Sequence, residues 1–348
     1  MKKLVALLLC AAMLIACISA VAEDQKKVGI SMPTKDLQRW NQDGANMQKM
    51  FEEAGFVVDL QYAANDEQIQ LNQVTSMINN GCDVIIISAI TSTSLGSALD
   101  LAKEKNIPVI AYDRLLMAHD WVSYYATFNN YAVGTIQGEY IRDQLDLDNA
   151  EGPFFLEITA GDPGDNNAGY FYQGAIDVLA PYIEAGKLVV KSGQVEFSEV
   201  ATPAWKTETA MNRANSIIAF YDDGSDIAAW LCSNDSTALG VINALEDNYD
   251  GEWPIITGQD CDIANTKKMI EGEQSMSVFK DTRTLAKQVV KMVTQLLNGE
   301  EVEVNDTETY NNGVVTVPSF LCVPVFADVN NYEELLIESG YYTPDQLQ

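Results

Sequence analysis

One order of elements occurs twice in this chain, and that duplication constrains its fold more than any other feature. Val84-Ile85-Ile86-Ile87-Ser88 leads through a helical interval to Pro108-Val109-Ile110-Ala111-Tyr112-Asp113. In the second half, Ile227 through Ser233 leads in the same way to Pro254-Ile255-Ile256-Thr257-Gly258-Gln259-Asp260. Short uninterrupted apolar runs of this kind suit strands buried on both faces of a parallel sheet. The same rhythm places further strands over 28–32, 57–62, 154–158 and 188–195. Between the strands, apolar residues recur three and four apart. Met47, Met50, Phe51 and Ala54 form one stripe over 41–54, which stops at Gly55. Asn65-Asp66-Glu67-Gln68 reads as a capping box before a helix that buries Leu71, Val74, Met77 and Ile78. Helices are also expected over 170–179, 210–220 and 236–245. The expected fold class is therefore α/β, two doubly wound parallel-sheet domains with right-handed crossovers. A length of 348 residues agrees with two domains rather than one extended core. No Gly/Ser- or Pro-rich linker separates the halves, so ordered crossing strands must form the hinge.

Met1-Lys2-Lys3 and the apolar run 4–15 have the dimensions of a secretory leader. Ala20-Val21-Ala22 offers a cleavage site that makes 1–22 a signal peptide, and Leu14-Ile15-Ala16-Cys17 offers a competing lipoprotein box with Cys17 lipidated. Either reading exports the chain, to the periplasm or the outer face of the cytoplasmic membrane. No later run reaches the about 20 apolar residues that a membrane-spanning helix needs. Against 21 Lys+Arg stand 50 Asp+Glu, a formal charge of −29 that argues against nucleic acid as a partner, since phosphate neutralisation needs clustered cations. His119 is the only histidine, so a multi-His zinc site is excluded and any triad chemistry would run through that residue alone. Cys82, Cys232, Cys261 and Cys322 show no C-x-x-C spacing and read as isolated buried thiols, with Cys232–Cys261 the one pair to check for a bridge. No metal or other cofactor is expected. The segment Asp222-Asp223-Gly224-Ser225-Asp226 reads as a solvated turn and not as a complete calcium loop.

In open α/β sheets ligands bind beyond the carboxyl ends of the strands. Those positions hold Arg39-Trp40, Asp113-Arg114, Asp165-Asn166-Asn167, Ser233-Asn234-Asp235 and Gln259-Asp260, with Lys280 after one more extended segment. Each has an ordinary explanation, as a loop ion pair, a turn, a helix cap or a core tryptophan. Their joint placement at strand ends of both halves points instead to one polar ligand. Carboxylates accept from hydroxyl groups, Arg and Lys donate to them, and Asn does both. Trp40 and Trp205 are candidates to cover the C–H face of a sugar ring.

At these residues the sequence resembles the periplasmic sugar-binding proteins of ABC importers with ribose-like topology, nearest the multiple-monosaccharide-binding and xylose-binding members. The stretches that carry the likeness include Ser31-Met32-Pro33-Thr34, Val109 through Leu115, Val122 through Asn130, Leu188 through Gln194, Phe279-Lys280-Asp281-Thr282-Arg283 and Val304-Asn305-Asp306-Thr307. The resemblance implies the type I periplasmic binding protein fold with a three-strand hinge. It implies an N-terminal lobe of 26–127 plus 279–317 and a C-terminal lobe of 128–278 plus 318–348. Crossings are then expected near 125–130, 276–281 and 315–320, with a helix over 281–298 returning to the first lobe. The implied pyranose contacts are Arg39, Trp40, Asp113, Arg114, Asn166, Asn167, Asn234, Asp235, Asp260 and Lys280, with Trp205 as second stacking platform. The implied function is capture of an aldopyranose (glucose, galactose, xylose or arabinose) by a monomer that delivers it to a membrane permease. An input role for a chemoreceptor or sensor kinase fits the same residues. The rival in another class is a glycoside hydrolase using Asp113 and Asp260, which would need one of the two carboxyls raised.

Overall fold

The computed structural model describes residues 25–348, so the expected signal peptide over 1–22, its cleavage site after Ala22 and the lipidation expected at Cys17 lie outside the described residues. The apolar runs Val84–Ile87, Val109–Tyr112 and Ile227–Cys232 form buried strands. The strands of the first half are β1 (Lys27–Met32), β2 (Val57–Tyr62), β3 (Val84–Ile87), β4 (Val109–Tyr112) and β5 (Tyr124–Phe128). Those of the second half are β6 (Phe154–Thr159), β7 (Leu188–Val189), β8 (Ile227–Cys232) and β9 (Ile255–Ile256), followed by β10 (Met276–Phe279), β11 (Ser319–Cys322) and β12 (Val325–Asp328). The first sheet runs β11-β5-β4-β3-β1-β2 and the second β7-β6-β8-β9, and both are parallel throughout. The order 2-1-3-4 of strands within each half is the same, which is the duplication read in the sequence.

Each sheet is covered on both faces. In the first lobe, Trp40, Met47 and Phe51 of the helix Gln38–Glu53 pack with Leu285, Val289 and Val293 of the helix Thr282–Leu297 on one side. Val74, Met77 and Leu99 from two other helices cover the opposite face. In the second lobe, the helices Thr207–Ile218 and Asp235–Asn248 supply one layer and Asn130–Gln144 and Asn166–Glu184 the other. Burial of this kind, at about 25 cal/mol per Å² of apolar surface, is the main stabilising term in both lobes.

The chain crosses between lobes three times. After β5 it enters the helix Asn130–Gln144, and after β10 it returns to the first core in Thr282–Leu297. The third crossing lies at Val323-Pro324, later than the expected 315–320, because β11 pairs with β5 while β12 pairs with β10. Two expected strands are shorter than read: 188–195 holds only β7 and 254–257 only β9. Both lie on the rim of the second sheet, where β7 has one neighbour and the chain turns away early. The Cys232–Cys261 bridge does not form. All four described cysteines are free and buried, and the Cys261 thiol is directed to the Ser277 carbonyl.

Candidate functional site

Arg39 and Trp40 lie in the first turn of Gln38–Glu53, at the carboxyl end of β1, and both are buried. The Arg39 guanidinium is shared among three carboxylates: Asp43 at 2.9 Å, Asp113 at 2.6 Å and Asp260 at 3.4 Å. Burial works against the charge of Arg39, but Asp113, Asp43 and Asp260 overcome it and keep the side chain cationic. Burial likewise opposes ionisation of Asp113, yet Arg39, Lys280 and Arg114 hold its carboxyl below the usual range. Asp43 lies deeper, where burial outweighs Arg39 and pushes its carboxyl up to about 6. Lys280 reaches Asp260 at 3.1 Å, and Arg114 reaches Asp165 at 2.9 Å. Both guanidinium carbons, of Arg39 and Arg114, stand 5.1 Å from the Trp40 ring centre, a distance at which cation and ring attract.

The backbone is bent to bring these groups together. Asp113 has φ of 59° and Asp260 has φ of 97°, left-handed conformations that cost non-glycine residues of order 1–3 kcal/mol. Asp113 is held there by its own carbonyl, which accepts from Tyr125 Oη at 2.5 Å, Thr127 Oγ1 at 2.9 Å and Asn167 Nδ2 at 2.6 Å. Asn167 belongs to the second lobe, so this bond and the Arg39–Asp260 and Arg114–Asp165 pairs tie the lobes across the cavity. Trp205 also has a left-handed backbone, φ 56°, and its indole lies against Gly161. A Cβ on Gly161 would come within 1.9 Å of that ring, so only glycine admits the tryptophan here.

Around these groups lies a narrow cavity, partly continuous with solvent. Of the expected contacts, Arg39, Trp40, Asp113, Arg114, Asn167, Trp205, Asn234, Asp260 and Lys280 line it. Asn166 and Asp235 do not. Asn166 opens its helix with its N–H toward Ser92 Oγ at 3.3 Å. Asp235 is fully buried behind the wall, where its carboxylate accepts from Gln274, Ser277 and the Asp262 N–H, each at 2.8 Å. Asn234 has both roles, since its Oδ1 caps the helix Asp235–Asn248 by accepting from the Thr237 N–H at 3.0 Å. Leu37, Phe171 and Asp262 line the cavity without having been expected, and Asp165 and Gln259, placed at strand ends by the sequence, join it although they were not among the implied contacts. Phe171 follows Asn167 by four positions, the spacing of one helix face, and its ring meets Trp205 edge-on at 6.3 Å.

Four buried polar atoms of the wall have no protein partner: Trp40 Nε1, Trp205 Nε1, Gln259 Oε1 and one carboxyl oxygen of Asp262, Oδ1. Donors and acceptors left unpartnered on lining residues suit a ligand whose groups both give and take hydrogen bonds, as hydroxyls do. With the ionic groups and the Trp40 and Trp205 indoles on the same lining, the wall suits a compact polyol. Among the described residues no group of His, Cys, Asp and Glu could hold a metal ion, and no helix is long and apolar enough to cross a membrane.

A family described as "periplasmic binding protein domain" matches residues 28–301. The multiple sugar-binding periplasmic receptor ChvE of Rhizobium radiobacter is 45% identical over the whole of both chains. The D-xylose-binding periplasmic protein of Escherichia coli is 33% identical, over 99% of each chain. Among solved structures, an ABC transporter solute-binding protein from Clostridium phytofermentans with bound β-D-glucose has a TM-score of 0.92 at 64% identity. It covers 93% of this chain, and all of that chain is matched.

Proposed function

The chain belongs to the periplasmic binding protein family, and on that premise we propose that it is an extracytoplasmic receptor that captures an aldopyranose between its lobes. The observation that carries this reading is the set of unpartnered donors and acceptors, Trp40 Nε1, Trp205 Nε1, Gln259 Oε1 and Asp262 Oδ1, gathered on one cavity with the Arg39 and Arg114 carboxylate pairs. Hydrogen bonds to charged groups contribute about 1.5–3 kcal/mol each, so a few of them outweigh the ordering of a rigid ring. The relatives named for multiple sugars and for D-xylose, and the neighbour that holds β-D-glucose, support glucose or xylose as ligands. The moving bodies are the two lobes, the first extended to Cys322 because β11 belongs to its sheet. A ligand that contacts both lobes only when they are together shifts the open–closed equilibrium by that differential affinity. The closed surface is then what a membrane permease reads, with the receptor acting as an exported monomer. Catalysis is no part of this reading: Asp113 and Asp260 both face Arg39, and Asp113 is held ionised, the opposite of what a proton-donating carboxyl needs.

Calorimetric titration with D-glucose and D-xylose tests the proposal. Binding of one sugar per chain is expected, and Asp260→Ala or Arg114→Ala should weaken it by at least about a hundredfold, since each leaves a buried charge short of its partner. Unchanged affinity in both folded variants, or cleavage of a glycoside by the wild type, would overturn the reading.

A further inference from the structure

The last ten residues are not used by the sugar site, yet they touch both lobes. Tyr342 is buried in an apolar cluster of the second lobe with Cys261, Met269, Phe279, Leu336 and Leu347. From there its hydroxyl donates to the Cys261 carbonyl at 2.8 Å and accepts from Gln38 Nε2 at 2.7 Å and Gln42 Nε2 at 3.2 Å. Cys261 follows Asp260, and both have a left-handed backbone. Gln38 precedes Arg39 and Trp40 on the helix Gln38–Glu53. One phenol therefore joins the backbone turn that presents Asp260 to the helix that presents Arg39 and Trp40. The neighbouring bonds repeat the pattern: Tyr341 Oη lies 3.1 Å from Gln42 Oε1, and Gln38 Oε1 accepts from the Ile263 N–H at 3.1 Å. The rings of Tyr341 and Tyr342 are 4.8 Å apart and edge-on, which braces the strap.

We propose that the C-terminal strap, through Tyr342, is a latch between the lobes: Tyr342 is a positioning residue that favours the closed arrangement without touching the ligand. The amides of Gln38 and Gln42 and the Tyr342 hydroxyl can meet only when the helix Gln38–Glu53 lies against the 261–263 turn. Loss of that contact leaves the cavity wall intact and makes closure less favourable. Apparent affinity then falls with the fraction of binding-competent molecules. The claim rests on the two-lobe reading above, and on sugar binding only for its second readout.

The experiment compares wild type with Tyr342→Phe, which keeps the ring, and Gln38→Leu, which removes the partner amide from the other lobe. Small-angle scattering of the ligand-free chains reads lobe separation with no ligand involved. Both variants should show a larger radius of gyration than wild type, and the double variant no more than either single one. D-Glucose titration should show about tenfold weaker binding in each, with non-additive loss in the double variant. Scattering profiles identical to wild type, or fully additive losses of affinity, would overturn the latch. A wild type that binds no aldose would remove the sugar reading and leave the scattering comparison to decide the latch.

Discussion

Asp235 shows how one position along a helix separates a contact from its support. Asn234 lines the cavity and Asp235 lies behind it, because Asn234 is the extended cap and Asp235 the first residue of the helix that follows. The dipeptide was legible as a strand-end pair, but which of its members lines the cavity was not. The same holds for Asn166 and Asn167. Burial pushes the Asp235 carboxyl up to about 7 from 3.8, with Asp260 adding to the effect against the bonds from Gln274, Ser277 and the Asp262 N–H. Asp262 moves in the same direction, from burial and from the charges of Asp235 and Asp260. Between about pH 4 and 7 the folded protein thus holds a proton that the unfolded chain has released. Stability should decline as pH rises through that window and level off above it. The thermal midpoint measured from pH 5 to 8 should fall in the wild type and fall less in Asp235→Asn. Equal slopes in the two proteins would show that the carboxyl titrates normally.

At the level of elements, the helices Asn130–Gln144 and Asn166–Glu184 cross with almost no space between them. A Cβ at Gly134 would stand 1.9 Å from the Phe171 carbonyl oxygen, a backbone atom that cannot move aside alone. Gly134→Ala should therefore force the helices apart and cost about 1–3 kcal/mol or more, read as a lower urea midpoint. Phe171 lines the cavity, so on the proposed function a weaker glucose affinity should accompany the loss. A variant with wild-type stability would mean that the crossing adjusts at little cost. The interior strands were legible from their apolar runs alone. The rim strands β7 and β9 were legible but read too long, since a strand with few neighbours ends where tertiary contacts end. The third crossing was displaced for a related reason: only pairing decides that β11 belongs with β5.

On the scale of the whole molecule, the site exists only as a joint product of two lobes. Arg39 with Asp260, Arg114 with Asp165, and Asn167 with the Asp113 carbonyl each span the gap. A bound sugar should consequently stabilise both lobes together, by about 2.7 kcal/mol at a concentration a hundredfold above Kd. Thermal melting with saturating D-glucose should give one transition at a higher midpoint. Two separated transitions, only one of which shifts, would place the sugar on a single lobe. The sequence alone determined the α/β class, the duplicated strand order and nine of the lining residues, because buried parallel strands need uninterrupted apolar runs and their carboxyl ends are where ligands gather. Tertiary structure alone decided the rest. Asp262, Leu37 and Phe171 join the cavity, Asp235 withdraws behind it, and Tyr342 reaches Gln38 from 304 positions away. Such placements depend on how two lobes approach in space, and no local periodicity records that approach.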